Sequence, residues 1–260
     1  MIVLLRGHIR DSFSDNRLYD FINNVIKRSK NIEIYIHTWN IIQSNISWRS
    51  IPKKNIKVTE DMIKKYFKNN SYFIKKIIID DDNTIELNGN TNGYIAGSDC
   101  PVIGWKNYWY GQHKIIDFIN SNKELDKEKK SFILNMRLDV FNNPHGFDEN
   151  NIISFIKQYY NEPLTENKFM YEKFFLGCDN CFIGNVETMY KLIQYFHFNL
   201  DDILKKYKII GHQEGLVMIE NSVMFNSLNK IYIKNVNNYK RNHEKLKNFY
   251  FINHTLQKIN

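Results

Sequence analysis

The residues of this chain best suited to chemistry stand directly behind its apolar runs. The run Phe132-Ile133-Leu134-Asn135-Met136 is followed by Arg137-Leu138-Asp139, a cation and a carboxylate two residues apart. In an extended segment residues i and i+2 share a face, so both side chains look the same way. A carboxylate so placed can ligate a divalent cation bridging two phosphates, because hard cations prefer oxygen, and the guanidinium can neutralise a departing diphosphate. The plainer alternative is a structural Arg–Asp pair that closes a strand. A second such place is Arg6-Gly7-His8-Ile9-Arg10, behind the run 2–5. Gly7 permits close backbone approach, and the two arginines with His8 can hold a diphosphate by charge-assisted hydrogen bonds. A third is His37-Thr38-Trp39-Asn40, behind the run 32–36, where a base or ribose can stack on the indole. Each histidine also has a structural alternative, as a cap or as the partner of a buried carbonyl.

The elements that must position these residues follow from periodicity. The first forty residues read as a β-α-β unit: apolar 2–5, then Leu18, Phe21, Ile22 and Val25 at helical spacing, then 32–36. Such an opening implies a parallel sheet, and in an open α/β sheet ligands lie beyond the carboxyl ends of the strands. Thr59 followed by Glu60 and Asp61 predicts a helix through Phe67, since a hydroxyl cap and early acids suit the free amides of a helix start. The run 76–79 ends in Asp80-Asp81-Asp82, and 83–104, rich in Gly, Asn and Asp, reads as an irregular excursion of the kind that often covers a site. Residues 105–119 read as a helix with an aromatic face, 122–130 as a Lys-rich connector, and 131–136 as a strand. Helices are expected near 150–160, 186–197 and 213–227, with extended pieces at 174–176, 182–183 and 231–233. Nothing divides the chain by repeat or linker, so the expectation is one α/β domain over 1–228 with a basic extension over 229–260.

The bulk numbers permit this. The 260 residues are 43% hydrophobic and 15% aromatic, enough for a substantial core. A formal net charge of +8 favours anionic partners, whether nucleotide diphosphates, nucleic acid or lipid head groups, although Lys scattered among Asn and Ile also makes an ordinary solvated surface. Three cysteines, Cys100, Cys178 and Cys181, argue against a secreted disulfide scaffold. The Cys178-x-x-Cys181 spacing lacks the second pair that a structural zinc needs. The N-terminal apolar run is too short for a signal peptide and no run approaches a membrane span, so a cytoplasmic protein is expected. No G-x-G-x-x-G follows the first strand and no G-x-x-x-x-G-K-[ST] occurs, which disfavours dinucleotide dehydrogenases and P-loop kinases.

The segments Leu5-Arg6-Gly7-His8-Ile9-Arg10-Asp11-Ser12-Phe13, Ile34-Tyr35-Ile36-His37-Thr38-Trp39-Asn40, Trp109-Tyr110-Gly111-Gln112, Met136-Arg137-Leu138-Asp139, Asp179-Asn180-Cys181-Phe182-Ile183-Gly184 and Gly211-His212-Gln213-Glu214-Gly215-Leu216 together resemble bacterial and large-virus glycosyltransferases of surface-polysaccharide synthesis, WavE-type lipopolysaccharide enzymes among them. The resemblance implies a GT-A-like, Rossmann-like fold: a mostly parallel central sheet flanked by helices, here with a C-terminal helical and basic extension. It implies a nucleotide-sugar donor, a glycan or lipid-linked glycan acceptor, and no nucleic acid. Gly7, His8, Arg10, His37, Thr38, Trp39, Gln112, Arg137 and Asp139 would then contact the donor, Gln112 with His113 reaching sugar hydroxyls. Arg-x-Asp stands where the family pattern has Asp-x-Asp, so a Mn or Mg ion on Asp139 and His212 would have an incomplete shell unless phosphate oxygens and water complete it. Asp80-x-Asp82 is a literal D-x-D, although three acids ending a strand are usually a solvated turn. An inverting transfer needs a general base near the acceptor, for which Asp179 and Glu214 are the candidates. The basic tail suits the anionic inner membrane surface where lipid-linked acceptors reside. The competing readings are a non-catalytic polyanion or nucleic-acid binder and a nucleotidyltransferase.

Overall fold

The computed structural model describes residues 1–29, 31–47, 51–122, 132–142, 149–150, 152–153, 156–157, 169–171, 180–210, 213, 216–217, 220 and 257–258. The expected β-α-β opening is present as β1 (Ile2–Arg6), α1 (Arg17–Arg28) and β2 (Glu33–Trp39), with β1 and β2 parallel and Arg6 beside His37. A small antiparallel ribbon follows, β3 (Ile41–Gln43) with β4 (Lys54–Lys57), then α2 (Glu60–Phe67) and β5 (Ile74–Asp80), which runs parallel to β2. Thr59 caps α2 as its sequence predicts, its Oγ1 accepting from the Met62 amide at 3.2 Å.

Residues 81–101 form no regular element beyond the bridge Tyr94–Pro101, and α3 (Val102–Asn122) leads back toward the centre of the sheet. There β6 (Phe132–Arg137) pairs parallel with β1, on the side away from β2. The remainder comprises β7 (Phe169–Tyr171), β8 (Cys181–Asn185), α4 (Val186–Lys205), β9 (Tyr207–Ile209) and β10 (Gln257–Lys258), the last two pairing as a separate ribbon. Asn185 caps α4 by accepting from the Thr188 amide at 2.7 Å. The sheet order is β5-β2-β1-β6-β8-β7; the first four strands are parallel, β8 runs antiparallel to β6, and β7, antiparallel to β8, runs in the direction of the first four. The mostly parallel α/β plan expected from the sequence is therefore present. The helices expected near 150–160 and 213–227 and the pieces at 174–176 and 231–233 fall largely or wholly outside the described residues, as does most of 229–260.

Burial on both faces explains the continuous apolar strands. All five β1 residues are buried, with Ile2 and Leu4 facing one core and Val3 and Leu5 the other. The first core is closed by α3 and α4 through Trp105, Trp109, Ile116, Leu192 and Phe196; the second by α1 and α2 through Leu18, Phe21, Ile22, Val25, Ile63 and Phe67. Each fully buried Leu, Ile or Phe contributes about 2 kcal/mol before chain entropy is counted. No helix among the described residues is long and apolar enough to cross a membrane.

Candidate ligand site at the strand ends

From β1 the chain proceeds outward to β2 and β5, then crosses back to lay β6 on the other side of β1. The topological switch point lies between β1 and β6, where ligands of open α/β sheets bind beyond the carboxyl ends of the strands, and the two segments singled out from the sequence flank it. Gly7 has φ +91°, a backbone state costly for any residue with a Cβ, and nothing lies within 4 Å of where a Cβ would stand, so the space over it is open. The Thr38 hydroxyl donates to the Gly7 carbonyl at 2.9 Å and fixes this turn. Arg10 also has a left-handed backbone, φ +52°, at a cost of about 1–2 kcal/mol for a non-glycine residue. That conformation is held by its amide on the Ile42 carbonyl at 2.9 Å and by its guanidinium on Asp139.

Asp139 is the centre of the arrangement. Its Oδ1 accepts from Arg137 Nε at 2.8 Å, and its Oδ2 accepts from Arg137 Nη2 at 2.8 Å and Arg10 Nη1 at 2.7 Å. Burial pushes this carboxyl's pKa up, yet Arg137 and Arg10 outweigh burial and hold it well below the usual carboxylate range. Arg6 and Arg137 are register partners on neighbouring parallel strands, so like charges stand side by side on one sheet face, an arrangement unfavourable in itself. Each is offset differently. Arg137 leans on Asp139, whereas Arg6, 2% exposed, turns inward: its Nε donates to Asn135 Oδ1 at 2.7 Å and its guanidinium carbon lies 4.5 Å from the Tyr108 ring centre. Asn135 in turn donates to Gln112 Oε1 at 2.8 Å, and Gln112 donates to the Tyr108 carbonyl at 3.2 Å.

Beside this cluster lies His8. Burial, reinforced by Arg10 and only partly opposed by Asp139, lowers its pKa from 6.5 to about 3, so it is neutral at pH 7. Its Nε2 is buried with no hydrogen-bond partner among the described residues. The His8 ring stacks on Trp39 at 5.9 Å, and Trp39 stacks on Tyr110 at 6.1 Å. His37 lies behind them, fully buried, its Nε2 donating to Asp80 Oδ2 at 3.2 Å; burial pushes its pKa down, with Asp80 opposing. A Cβ on Gly111 would come within 2.5 Å of His37 Nδ1, which is why α3 carries glycine where it crosses β2.

The structure thus brings together Gly7, His8, Arg10, Arg137 and Asp139 at one switch point, with His37 and Thr38 immediately behind. Trp39 is 3% exposed and wedged against His8, His37 and Tyr110, so its ring packs rather than offering an open face to a base. Gln112 is fully buried and its amide is engaged by Asn135 and Tyr108, so it faces the core rather than a sugar. His113 stacks on His197 at 4.1 Å between α3 and α4. Asp179, Glu214 and His212 lie outside the described residues. Of the D-x-D, Asp80 belongs to His37, and Asp82 is buried and accepts from Asn83 at 3.1 Å.

Asp139 does not fit a divalent cation. Both of its oxygens already accept guanidinium N–H groups, and two cations surround one carboxylate. Among the described residues no group of three or more His, Cys, Asp or Glu side chains could hold a metal ion.

Reading along the chain gave Asn135 no role, and it met Asp80 only as part of a D-x-D and Tyr110 only within the segment Trp109-Tyr110-Gly111-Gln112. The signal for Asn135 was present: it is a carboxamide in the middle of a run otherwise apolar, and a polar residue there must have a buried partner. Fold and site together define an α/β protein with Arg10, Arg137 and Asp139 clustered at a topological switch point. No family model, no curated protein and no solved structure matches this chain.

Proposed function

We propose that the chain is a nucleotide-sugar-dependent glycosyltransferase on a GT-A-like variant of the α/β plan. It would transfer a sugar to a glycan or lipid-linked glycan acceptor in capsule or lipopolysaccharide synthesis, on the cytoplasmic side of the inner membrane. The observation that carries this reading is the Arg10–Asp139–Arg137 cluster beside the open turn at Gly7, where the β1–β6 switch point offers positive charge and close backbone approach to a diphosphate.

In the reaction the acceptor hydroxyl oxygen forms a bond to the anomeric carbon, and the bond from that carbon to the donor phosphate oxygen breaks. The electron pair leaves with the nucleoside diphosphate, and the hydroxyl proton passes to a base. The guanidinium groups offset the charge that grows on the diphosphate, the part of the step that fixed donors in a water-poor cleft accelerate most. Asp179 or Glu214 would take the proton.

Thermal denaturation with UDP, GDP, CDP and dTDP tests the reading. One of the four should raise the midpoint, since a ligand at one hundred times its Kd adds about 2.7 kcal/mol of stability. No response to any would count decisively against a nucleotide-sugar enzyme. Product analysis separates the nucleotidyltransferase alternative, which would release pyrophosphate.

A further inference from the structure

Among the described residues three arginines, Arg6, Arg10 and Arg137, converge on the ends of β1 and β6, and Asp139 is a carboxylate bonded to two of them. A metal-dependent diphosphate site has the opposite composition: carboxylates collect a cation, and the cation collects the phosphates. Here a divalent ion on Asp139 would sit against two guanidinium groups already bonded to both carboxylate oxygens, and repulsion would oppose its entry. The same groups are arranged well for an anion. Arg137 grips Asp139 through Nε and Nη2, a fork that fixes the plane of its guanidinium, and Arg10 is swung into the cluster by a left-handed backbone. A strained backbone retained at a strand end is most readily explained by what it positions. Open space over Gly7 adjoins His8, whose buried Nε2 has no hydrogen-bond partner among the described residues.

We infer that this site recognises a diphosphate directly through Arg10 and Arg137, without a divalent cation, and that Asp139 is a positioning residue that aligns the two guanidinium groups rather than a metal ligand. The inference rests on the proposed donor class only for the identity of the group attached to the diphosphate. As the donor bond breaks, the leaving phosphate oxygen keeps the electron pair, and the added negative charge falls beside fixed cations instead of a metal.

Calorimetric titration of the full chain with inorganic pyrophosphate, and with each of UDP, GDP, CDP and dTDP, in EDTA and then in MnCl2, tests this. The expected result is binding in EDTA with a Kd within about threefold of the value in Mn²⁺, weakened about tenfold or more by Arg10→Gln or Arg137→Gln, each such loss being one charge-assisted hydrogen bond. Asp139→Asn should shift affinity equally in both buffers. The comparison of buffers on the unaltered chain needs no variant to fold. Binding that appears only with Mn²⁺ and is lost in Asp139→Asn would overturn the inference and leave the glycosyltransferase reading standing. Arginine-dependent binding of pyrophosphate with no response to any nucleotide would support the inference and defeat that reading. Binding of neither overturns both.

Discussion

At neutral pH four imidazoles among the described residues are held uncharged: His8, His37, His113 and His197, each with its pKa pushed below the ordinary value first of all by burial. In the unfolded chain each returns to 6.5. Between pH 7 and 5 the unfolded state therefore binds protons that the folded state refuses, and stability must fall as pH falls. For His8, with a folded pKa of about 3, almost the whole span from 6.5 to 5 counts, which is about 2 kcal/mol. His197, lowered to about 4 but more open to solvent, adds about 1 kcal/mol after allowance for screening. His37 and His113 act in the same direction. The expected loss of at least about 3 kcal/mol is a large share of the 5–15 kcal/mol typical of a domain. Carboxylates held low by their partners, Asp139 above all, are lost only at more acidic pH, so the window from 7 to 5 belongs to histidine. Urea denaturation followed by circular dichroism at pH 7, 6 and 5 measures the slope, and His8→Gln, which cannot titrate, should remove about 2 kcal/mol of it. A stability flat to within about 1 kcal/mol across this range, or a full slope in His8→Gln, would refute the placement of neutral imidazoles in the core.

Gly111→Ala should destabilise the fold by about 1–3 kcal/mol, because its Cβ would lie 2.5 Å from His37 Nδ1 and push α3 from β2; the shift of the urea midpoint reads this directly. Asn135→Ala strips the buried Arg6 guanidinium of its Nε acceptor and Gln112 of its partner, and a loss of about 2–4 kcal/mol is expected by the same measurement. Thr59→Ala removes the α2 cap and should cost about 1 kcal/mol, with Thr59→Ser largely restoring it. Asp139→Ala should abolish sugar transfer in an assay of donor turnover, and near-normal activity would move the chemistry away from the β1–β6 switch point.

The strands were legible because burial on both faces makes them apolar runs, uninterrupted in 2–5 and broken only by Asn135 in 132–136. Their ends were less so: β1, β2, β5 and β6 each continue into polar residues, Arg6, His37 to Trp39, Asp80 and Arg137, where the ladder persists after the apolar pattern has stopped. The β3–β4 ribbon left no signal, since β4 is Lys-Asn-Ile-Lys and largely solvent-facing. In the site, the chemistry of Arg137 and Asp139 could be read from local spacing, but the partnership of Asp139 with Arg10 spans 129 residues and exists only once β6 lies beside β1. Gln112 and Trp39 were read as ligand contacts because side-chain type is silent on direction. On α3, Gln112 lies on the face that turns toward Asn135, and the Trp39 indole fills the space between His8 and Tyr110.

The central claim is that a nucleotide-sugar donor places its diphosphate at the switch point between β1 and β6. A crystal structure of the protein grown with the nucleoside diphosphate that most raises its melting point tests this most directly. The account predicts density for the two phosphates over Gly7, within hydrogen-bond reach of Arg10 and Arg137. Phosphates bound elsewhere, with the Arg10–Asp139–Arg137 cluster untouched, would contradict it.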